Sequence, residues 1–259
     1  MFLARFRTIV IAFYLQFFVL LGYNLVARGV FHFERPGFFV VWVLVTALVA
    51  EYGFNYFFKK TKRLFPLSAL ITGFSCALLI DAPTLPPYLL AITLALFSKY
   101  AFVVDEKRHY FNPANFGVVL ALLFYPGDFN LAQNIFASSI PAALSFFCFG
   151  VLIAALAGKI MVALFWLINF SLFAILRSQF DLDIYLSQIL ILFSSSMILF
   201  SFNMITDPKT SPASLKGQYY FTFIIAALDT VARFFFIPYS NFFALFVTSA
   251  LMPIIKKGK

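Results

Sequence analysis

The sequence predicts an all-α integral membrane protein of about ten transmembrane helices, with both termini on the cytoplasmic side. Hydrophobic residues make up 63% of the 259 residues and charged residues 11%, and the mean hydropathy is +0.96. Soluble domains carry roughly a quarter charged residues. Apolar segments cover the whole length, with lysine and arginine concentrated near their ends. We therefore expect a single transmembrane domain over residues 1–259, surrounded by membrane lipid.

Ten apolar segments follow one another along the chain. Two of them, 66–80 and 114–126, are too short for a simple crossing, which needs about 20 residues. Short helices interrupted by proline or glycine often mark binding sites, because unwound backbone at membrane depth persists only where it lines a cavity. The predicted segments are 8–30, 37–58, 66–80, 86–104, 114–126, 137–157, 160–177, 184–204, 218–237 and 239–256.

The basic residues predict the orientation. With the N-terminus inside, fifteen lysines and arginines fall on the inner side, and four (Arg28, Arg35, Arg177 and Arg233) fall on the outer side. This bias is typical of multi-pass proteins of the bacterial cytoplasmic (inner) membrane, and it holds only for an even number of spans. Ten spans are compatible with two inverted five-helix repeats, in which the third and eighth segments correspond. The basic residues form no single water-exposed face, so we expect no nucleic-acid partner.

The first polar signature is His109-Tyr110-Phe111-Asn112-Pro113-Ala114-Asn115-Phe116-Gly117. Asn is a favoured helix N-cap and proline is tolerated in the first helical turn, so Asn112 can serve simply as the cap of the fifth helix. Alternatively, Asn112 and Asn115 present amide groups on adjacent turns, at a helix N-terminus suited to a polar ring edge or an anion. Both interpretations stay open at this point.

The second signature is Met204-Ile205-Thr206-Asp207-Pro208-Lys209-Thr210-Ser211-Pro212. Its two prolines exclude a helix, and its Thr, Ser and Asp side chains can close tight turns. Some polar loop must join the eighth and ninth segments. Asp207, however, directly follows an apolar segment, where a partly buried carboxylate needs a hydrogen-bond donor. The predicted topology places both signatures on the cytoplasmic side.

Four further charged residues lie within apolar segments. Asp229 and Arg233 have the i,i+4 spacing of an ion pair within one helix. Glu51 could line an ion or proton path, but we expect it to reach the inner interface. Lys99 lies near the inner end of its segment. Two histidines and two separated cysteines provide no metal site, and no nucleotide-binding or nucleophile motif identifies a catalytic residue. Any redox chemistry would therefore require an organic cofactor.

At the two signatures the chain resembles a family of membrane flavoprotein subunits. This family comprises the D subunit of Rnf-type electron transport complexes and the B subunit of sodium-pumping NADH:quinone reductases. The resemblance rests on Phe111-Asn112-Pro113-Ala114 and on Thr206-Asp207-Pro208 with Thr210, and less specifically on Thr72-Gly73 within residues 71–78. The order and spacing of these motifs and the count of ten segments agree with the family over most of the chain.

The resemblance implies a flavin-binding, inner-membrane electron-transfer subunit, a possible component of a membrane oxidoreductase. Its riboflavin or FMN would be held non-covalently between residues 111–117 and 206–212. A redox partner subunit or a quinone would exchange electrons with it. The implied cofactor-binding residues are Asn112, Asn115, Thr206, Asp207, Thr210 and Thr72.

One departure from the family concerns its second flavin, an FMN linked to threonine in an S-G-A-T-type sequence. No such sequence lies between Gly117 and Asn203, so we expect no covalent FMN, and ion pumping is in doubt. Two functions without a flavin remain as alternatives. One is a small-solute or ion transporter or channel, and the other is a membrane accessory or biosynthesis protein on the same scaffold.

Overall fold

The computed structural model describes residues 2–30, 39–58, 66–105, 108–128, 130–131 and 140–257, and these form an all-α fold. Two antiparallel pairs of very short strands connect the ends of helices: Ile80–Asp81 pairs with Asn130–Leu131, and Val103–Asp105 pairs with Arg108–His109. In chain order the elements are α1 (Phe2–Val30), α2 (Phe39–Phe57), α3 (Leu67–Leu79), β1 (Ile80–Asp81), α4 (Pro86–Ala101), β2 (Val103–Asp105), β3 (Arg108–His109), α5 (Pro113–Phe124), β4 (Asn130–Leu131), α6 (Ile140–Leu156), α7 (Ile160–Arg177), α8 (Leu182–Leu190), a 3₁₀ turn (Ile191–Phe193), α9 (Ser195–Leu199), a π-helical segment (Phe200–Met204), α10 (Leu215–Phe234) and α11 (Ser240–Lys257).

The eighth apolar segment differs from the prediction because it is broken. The helix of residues 182–193 and that of residues 195–204 are bent by 65° relative to each other. Ser194 causes the break: its backbone is extended, and its Oγ accepts the amide hydrogen of Met197 as the N-cap of α9. A serine that caps a new helix ends the preceding one, so residues 184–204 are not one continuous helix.

Two short helical units are buried on nearly all sides. In α3, eleven of thirteen residues are buried. In the unit formed by α9 and the π-helical segment, Asn203 alone is only partly buried. Both units occupy the centre of the fold, and most other helices keep one exposed apolar face. Helices that are apolar and enclosed all round belong to the core of a fold.

The helices of the second half pair in the same order as those of the first half. In the first half, α3 packs against α1 and α2, α2 against α4, and α4 against α5. In the second half, the α9–π unit packs against α6 and α7, α7 against α10, and α10 against α11. The α9–π unit therefore packs against the first two helices of its half, as α3 does in the first half, although α3 also packs against α4 and α5.

Among the described residues, α2 and α7 are the helices that are long and apolar enough to cross a membrane alone. The bent unit of residues 182–204 would be a third span if it crosses as one, and five shorter helices are also apolar. This is the character of a membrane-associated helical protein. Several basic residues used to predict orientation lie outside the described residues: Arg35, Lys59, Lys60, Lys62, Arg63, Lys107 and Lys259.

Candidate ligand-binding site

A cavity of about 80 Å³ lies where the two polar signatures meet. Its wall combines parts of α1 and α3, the ends of α4 and α6, the start of α5, and the π-helical segment with the loop that follows. One buried water needs roughly 10–15 Å³, so the cavity has room for several waters or for the polar edge of an organic ligand. The polar lining residues are Gln16, Ser68, Thr72, Ser75, Lys99, His109, Asn112, Asn203, Thr206, Asp207 and Lys209.

Four of the six predicted site residues line this cavity: Thr72, Asn112, Thr206 and Asp207. The two threonine hydroxyls donate to carbonyls of their own helical turns. Thr72 Oγ1 lies 2.9 Å from Ser68 O, and Thr206 Oγ1 lies 2.6 Å from Phe202 O. Because each hydroxyl hydrogen is used within the protein, these side chains can offer a ligand only acceptor lone pairs.

Asn112 caps α5, as one interpretation of the sequence proposed. Its Oδ1 accepts the backbone amide hydrogen of Asn115 at 3.0 Å, and Pro113 follows as the first helical residue. Its Nδ2 donates to Met204 O at 3.2 Å. One side chain thus connects the start of α5 to the end of the π-helical segment and holds the two signatures together.

The structure does not bring the other two predicted site residues to the cavity wall. Asn115 is 1% exposed and its Nδ2 donates to Phe242 O of α11 at 3.0 Å. Thr210 Oγ1 lies 3.4 Å from the carbonyl oxygen of Asp207, within the loop. Asn112 is the N-cap and has an extended backbone, whereas Asn115 lies within α5, and their amides contact different neighbours.

Asp207 begins a tight turn after the π-helical segment. Its Oδ1 accepts the backbone amide hydrogen of Lys209 at 2.9 Å, and its carbonyl oxygen accepts those of Thr210 and Ser211. Burial raises the pKa of the Asp207 carboxyl above its usual range. The hydrogen bond from Lys209 and the charges of Lys209, Lys99 and Lys159 oppose this rise. Asp207 is partly buried, and a partly buried carboxylate at a cavity wall is suited to accept a hydrogen bond from a ligand.

Several lining residues were missed by the sequence-based prediction. Lys99 is 8% exposed and forms an ion pair with Glu51 of α2, with 3.6 Å between Nζ and Oε2. The expectation that Glu51 reaches the interface is therefore wrong. Gln16 of α1 donates to Asn203 Oδ1 at 3.2 Å. The available signal was a polar residue inside an apolar segment, but such a residue does not reveal its partner.

Gly117, the last residue of the first signature, allows α4 and α5 to approach closely. A Cβ at this position would lie 2.0 Å from the carbonyl oxygen of Ala91 and 2.7 Å from the Cβ of Ala95. No side chain fits there without moving one helix. The signature therefore combines a helix cap at its start with a packing requirement at its end.

A second buried polar cluster surrounds Asp229, which is fully buried. The predicted pair with Arg233 is confirmed, with 2.8 Å between Arg233 Nε and Asp229 Oδ2. Ser240 Oγ donates to the other carboxylate oxygen at 2.5 Å. Arg177 adds a second guanidinium, 3.9 Å from Oδ2, which also donates to Gln188 and Thr230. We refer to these residues as the Asp229 cluster.

A comparison of the sequence with models of known protein families finds no match, and a comparison with characterised proteins finds none either.

Proposed function

We propose that this chain is a flavin-binding, inner-membrane electron-transfer subunit whose cavity receives the polar edge of a flavin that is bound without a covalent bond. One observation carries the proposal. The two signatures that resemble flavin-binding segments are far apart in sequence, yet Asn112 from one and Thr206 and Asp207 from the other line the same cavity. A single helix cap or loop would not require this juxtaposition.

The chemistry of the lining residues fits an isoalloxazine ring. Such a ring presents one imide N–H donor flanked by carbonyl acceptors. Asp207 supplies a carboxylate acceptor, while Lys99 and Lys209 supply cationic donors on the same wall. When bound, a flavin supplies one- and two-electron chemistry, and the protein supplies position and electrostatics. A redox partner subunit or a quinone would donate or accept the electrons.

The proposal includes ten spans, both termini in the cytoplasm and two inverted five-helix repeats. The matched helix pairing of the two halves supports the repeat, with α3 and the α9–π unit as counterparts. The cavity is lined by the starts of α3 and α5 and by the ends of α4 and α6. The starts of α3 and α5 and the ends of α4 and α6 meet at one level because these consecutive helices alternate in direction, as expected of successive spans.

Site-specific labelling tests this topology. With exposed Cys148 replaced by serine, Lys216→Cys should react with an impermeant thiol reagent only in inside-out vesicles. Asp183→Cys, in the opposite loop region, should react only in right-side-out vesicles. Reaction of both positions from one side would contradict the proposed topology.

A transporter is the second candidate. Short, enclosed helical units beside a cavity, such as α3 and the α9–π unit, are also the usual form of midplane binding sites in transporters. That function needs no flavin. The two candidates therefore differ in whether the purified protein carries a chromophore.

The deciding experiment is an absorption spectrum of the detergent-purified protein from a flavin-replete host, before and after acid precipitation. Electron transfer by a non-covalent flavin predicts yellow protein and release of the colour into the acid supernatant. Colour retained in the pellet would indicate a covalent attachment site. A colourless, folded protein would contradict the proposal and favour the transporter.

A further inference from the structure

Two carboxamide side chains from opposite halves of the chain meet on the cavity wall. Gln16 of α1 donates from Nε2 to Oδ1 of Asn203 in the π-helical segment at 3.2 Å, and both residues line the cavity. Each of them is only partly buried. Their contact leaves Gln16 Oε1 and Asn203 Nδ2 without a hydrogen-bond partner among the residues that the structure describes.

The pair offers the cavity both a donor and an acceptor. A carboxamide has two N–H hydrogens and one carbonyl oxygen, so two amides joined by one hydrogen bond still present a free N–H and a free carbonyl oxygen. This holds whichever of the two amides donates to the other. The pair is therefore suited to a ligand edge on which donors and acceptors alternate.

The π-helical segment brings Asn203 to the wall. Such segments within helices are frequent at functional sites. The flanking residues Phe202 and Met204 are buried, whereas Asn203 is only partly buried. Asp207 follows four residues later on the same wall, and its Oδ2 receives no hydrogen bond from the described part of the chain. One short stretch of chain thus supplies an amide donor and a carboxylate acceptor.

The lysines on the wall also have contacts within the protein. Lys99 pairs with Glu51 at 3.6 Å, and Lys209 Nζ lies 5.6 Å from the centre of the Phe13 ring. A polar group that gives up such a contact loses part of what it gains from a ligand. Asn203 Nδ2 can bind a ligand without giving up its contact with Gln16, because that contact uses Oδ1.

We propose that Asn203, positioned by Gln16, and Asp207 together bind the imide edge of the isoalloxazine ring. This inference rests on the proposed function. The Asp207 carboxylate would accept the imide N–H, and Asn203 Nδ2 would donate to a neighbouring carbonyl oxygen of the ring. The cavity of about 80 Å³ takes this edge alone, and the rest of the flavin would extend out of it.

Two flavin analogues test the proposal. Lumiflavin keeps the imide edge and lacks the ribityl chain, and 3-methyllumiflavin carries a methyl group in place of the imide hydrogen. Each is titrated, by quenching of its fluorescence, into flavin-depleted protein in nanodiscs of neutral lipid. The parent should bind lumiflavin at least about tenfold more tightly than 3-methyllumiflavin, as expected for one hydrogen bond to a charged group.

The variants test the role of the amide pair. Asn203→Leu should lower the affinity for lumiflavin about fivefold, as for loss of one neutral hydrogen bond, and barely change that for 3-methyllumiflavin, whose methyl group keeps the edge away. The ratio of the two affinities should fall accordingly. Gln16→Leu, which frees Asn203 to rotate, should lower the ratio in the same direction but less. Asn130→Leu, at an exposed asparagine of β4 away from the cavity, should leave it unchanged.

Because both analogues are measured on the same protein, the ratio cancels any general damage from a substitution. If Asn203→Leu does not fold, the ratios of the parent and of Gln16→Leu decide. Equal affinities in the parent, or a ratio that the cavity variants leave unchanged, would overturn this inference and leave the proposed function intact. Binding of neither analogue to a protein that is purified with flavin would do the same, because the ribityl chain would then hold the flavin. Absence of any flavin binding would overturn both.

Discussion

The cavity and the Asp229 cluster both place a carboxylate among cations near helix ends, but they differ in how the carboxylate is used. Asp229 is fully buried, and Asp207 is partly buried. Both oxygens of Asp229 are occupied by the protein, one by Ser240 and the other by Arg233. Asp207 receives a backbone hydrogen bond at Oδ1 and lies on the wall of an open cavity. The same residue type thus stabilises the fold in one place and remains available to a ligand in the other.

The largest expected effect is at the Asp229 cluster. Asp229→Asn removes the charge that compensates Arg177 and Arg233, and loss of one partner of a buried ion pair typically costs about 3–5 kcal/mol. We expect a large drop in the thermal unfolding temperature in detergent. Asp183→Asn, at an exposed acidic residue, is the matched control. Equal stability of the two variants would show that the cluster is not needed for folding.

The next largest effect is expected at the contact between α4 and α5. Gly117→Ala would force α4 and α5 apart, because the new Cβ overlaps the Ala91 carbonyl oxygen. Overpacking of this kind costs about 1–3 kcal/mol. Gly53→Ala in α2 is the control, since no atom lies within 4 Å of its Cβ position. The two variants are compared by thermal unfolding, and a stable Gly117→Ala protein would contradict the close approach of the helices.

The smallest effect on stability is expected at Asp207, and its sign should be opposite to that at Asp229. The folded-state pKa of Asp207 is raised, so the folded protein binds the proton more tightly than the unfolded chain does. Stability is therefore lost as pH rises from the ordinary carboxyl pKa through the raised one. Asp207→Asn should equal or exceed the parent in stability at neutral pH.

Unfolding measured between pH 4 and 8 checks this sign. The advantage of Asp207→Asn should shrink on acidification and vanish once the carboxyl is protonated in both states. If the variant were less stable than the parent at neutral pH and recovered in acid, Asp207 would be a structural ion-pair residue like Asp229, and the contrast between the two sites would not hold.

Local sequence patterns predicted most of the helices. At the two sites they predicted the contacts within one helix, but not those between helices. Proline and asparagine identified the start of α5, and the i,i+4 spacing identified the pair of Asp229 with Arg233, because both depend on neighbouring residues. The pairs Glu51–Lys99 and Arg177–Asp229 join different helices. The spacing of residues along one helix does not show which residue of another helix lies opposite, so these pairs could be found only in the tertiary structure.

The same limit explains the errors at the candidate site. Asn112 and Asn115 form one motif in the sequence, but only the three-dimensional packing shows that Asn115 contacts α11 and not the cavity. The break at Ser194 had a local signal in the serine run of residues 194–196. That signal is ambiguous, because a serine within an apolar helix can equally bond its own backbone.

The most direct test of the central claim is the flavin content of folded Asp207→Asn protein, measured beside the parent and Asp183→Asn after gel filtration in detergent. If Asp207 accepts a hydrogen bond from the ligand, the affinity for flavin should fall about tenfold in Asp207→Asn alone, as for loss of one charge-assisted hydrogen bond. The flavin-to-protein ratio should fall with it. An unchanged ratio in a folded Asp207→Asn protein would contradict the assignment of the cavity as the flavin site.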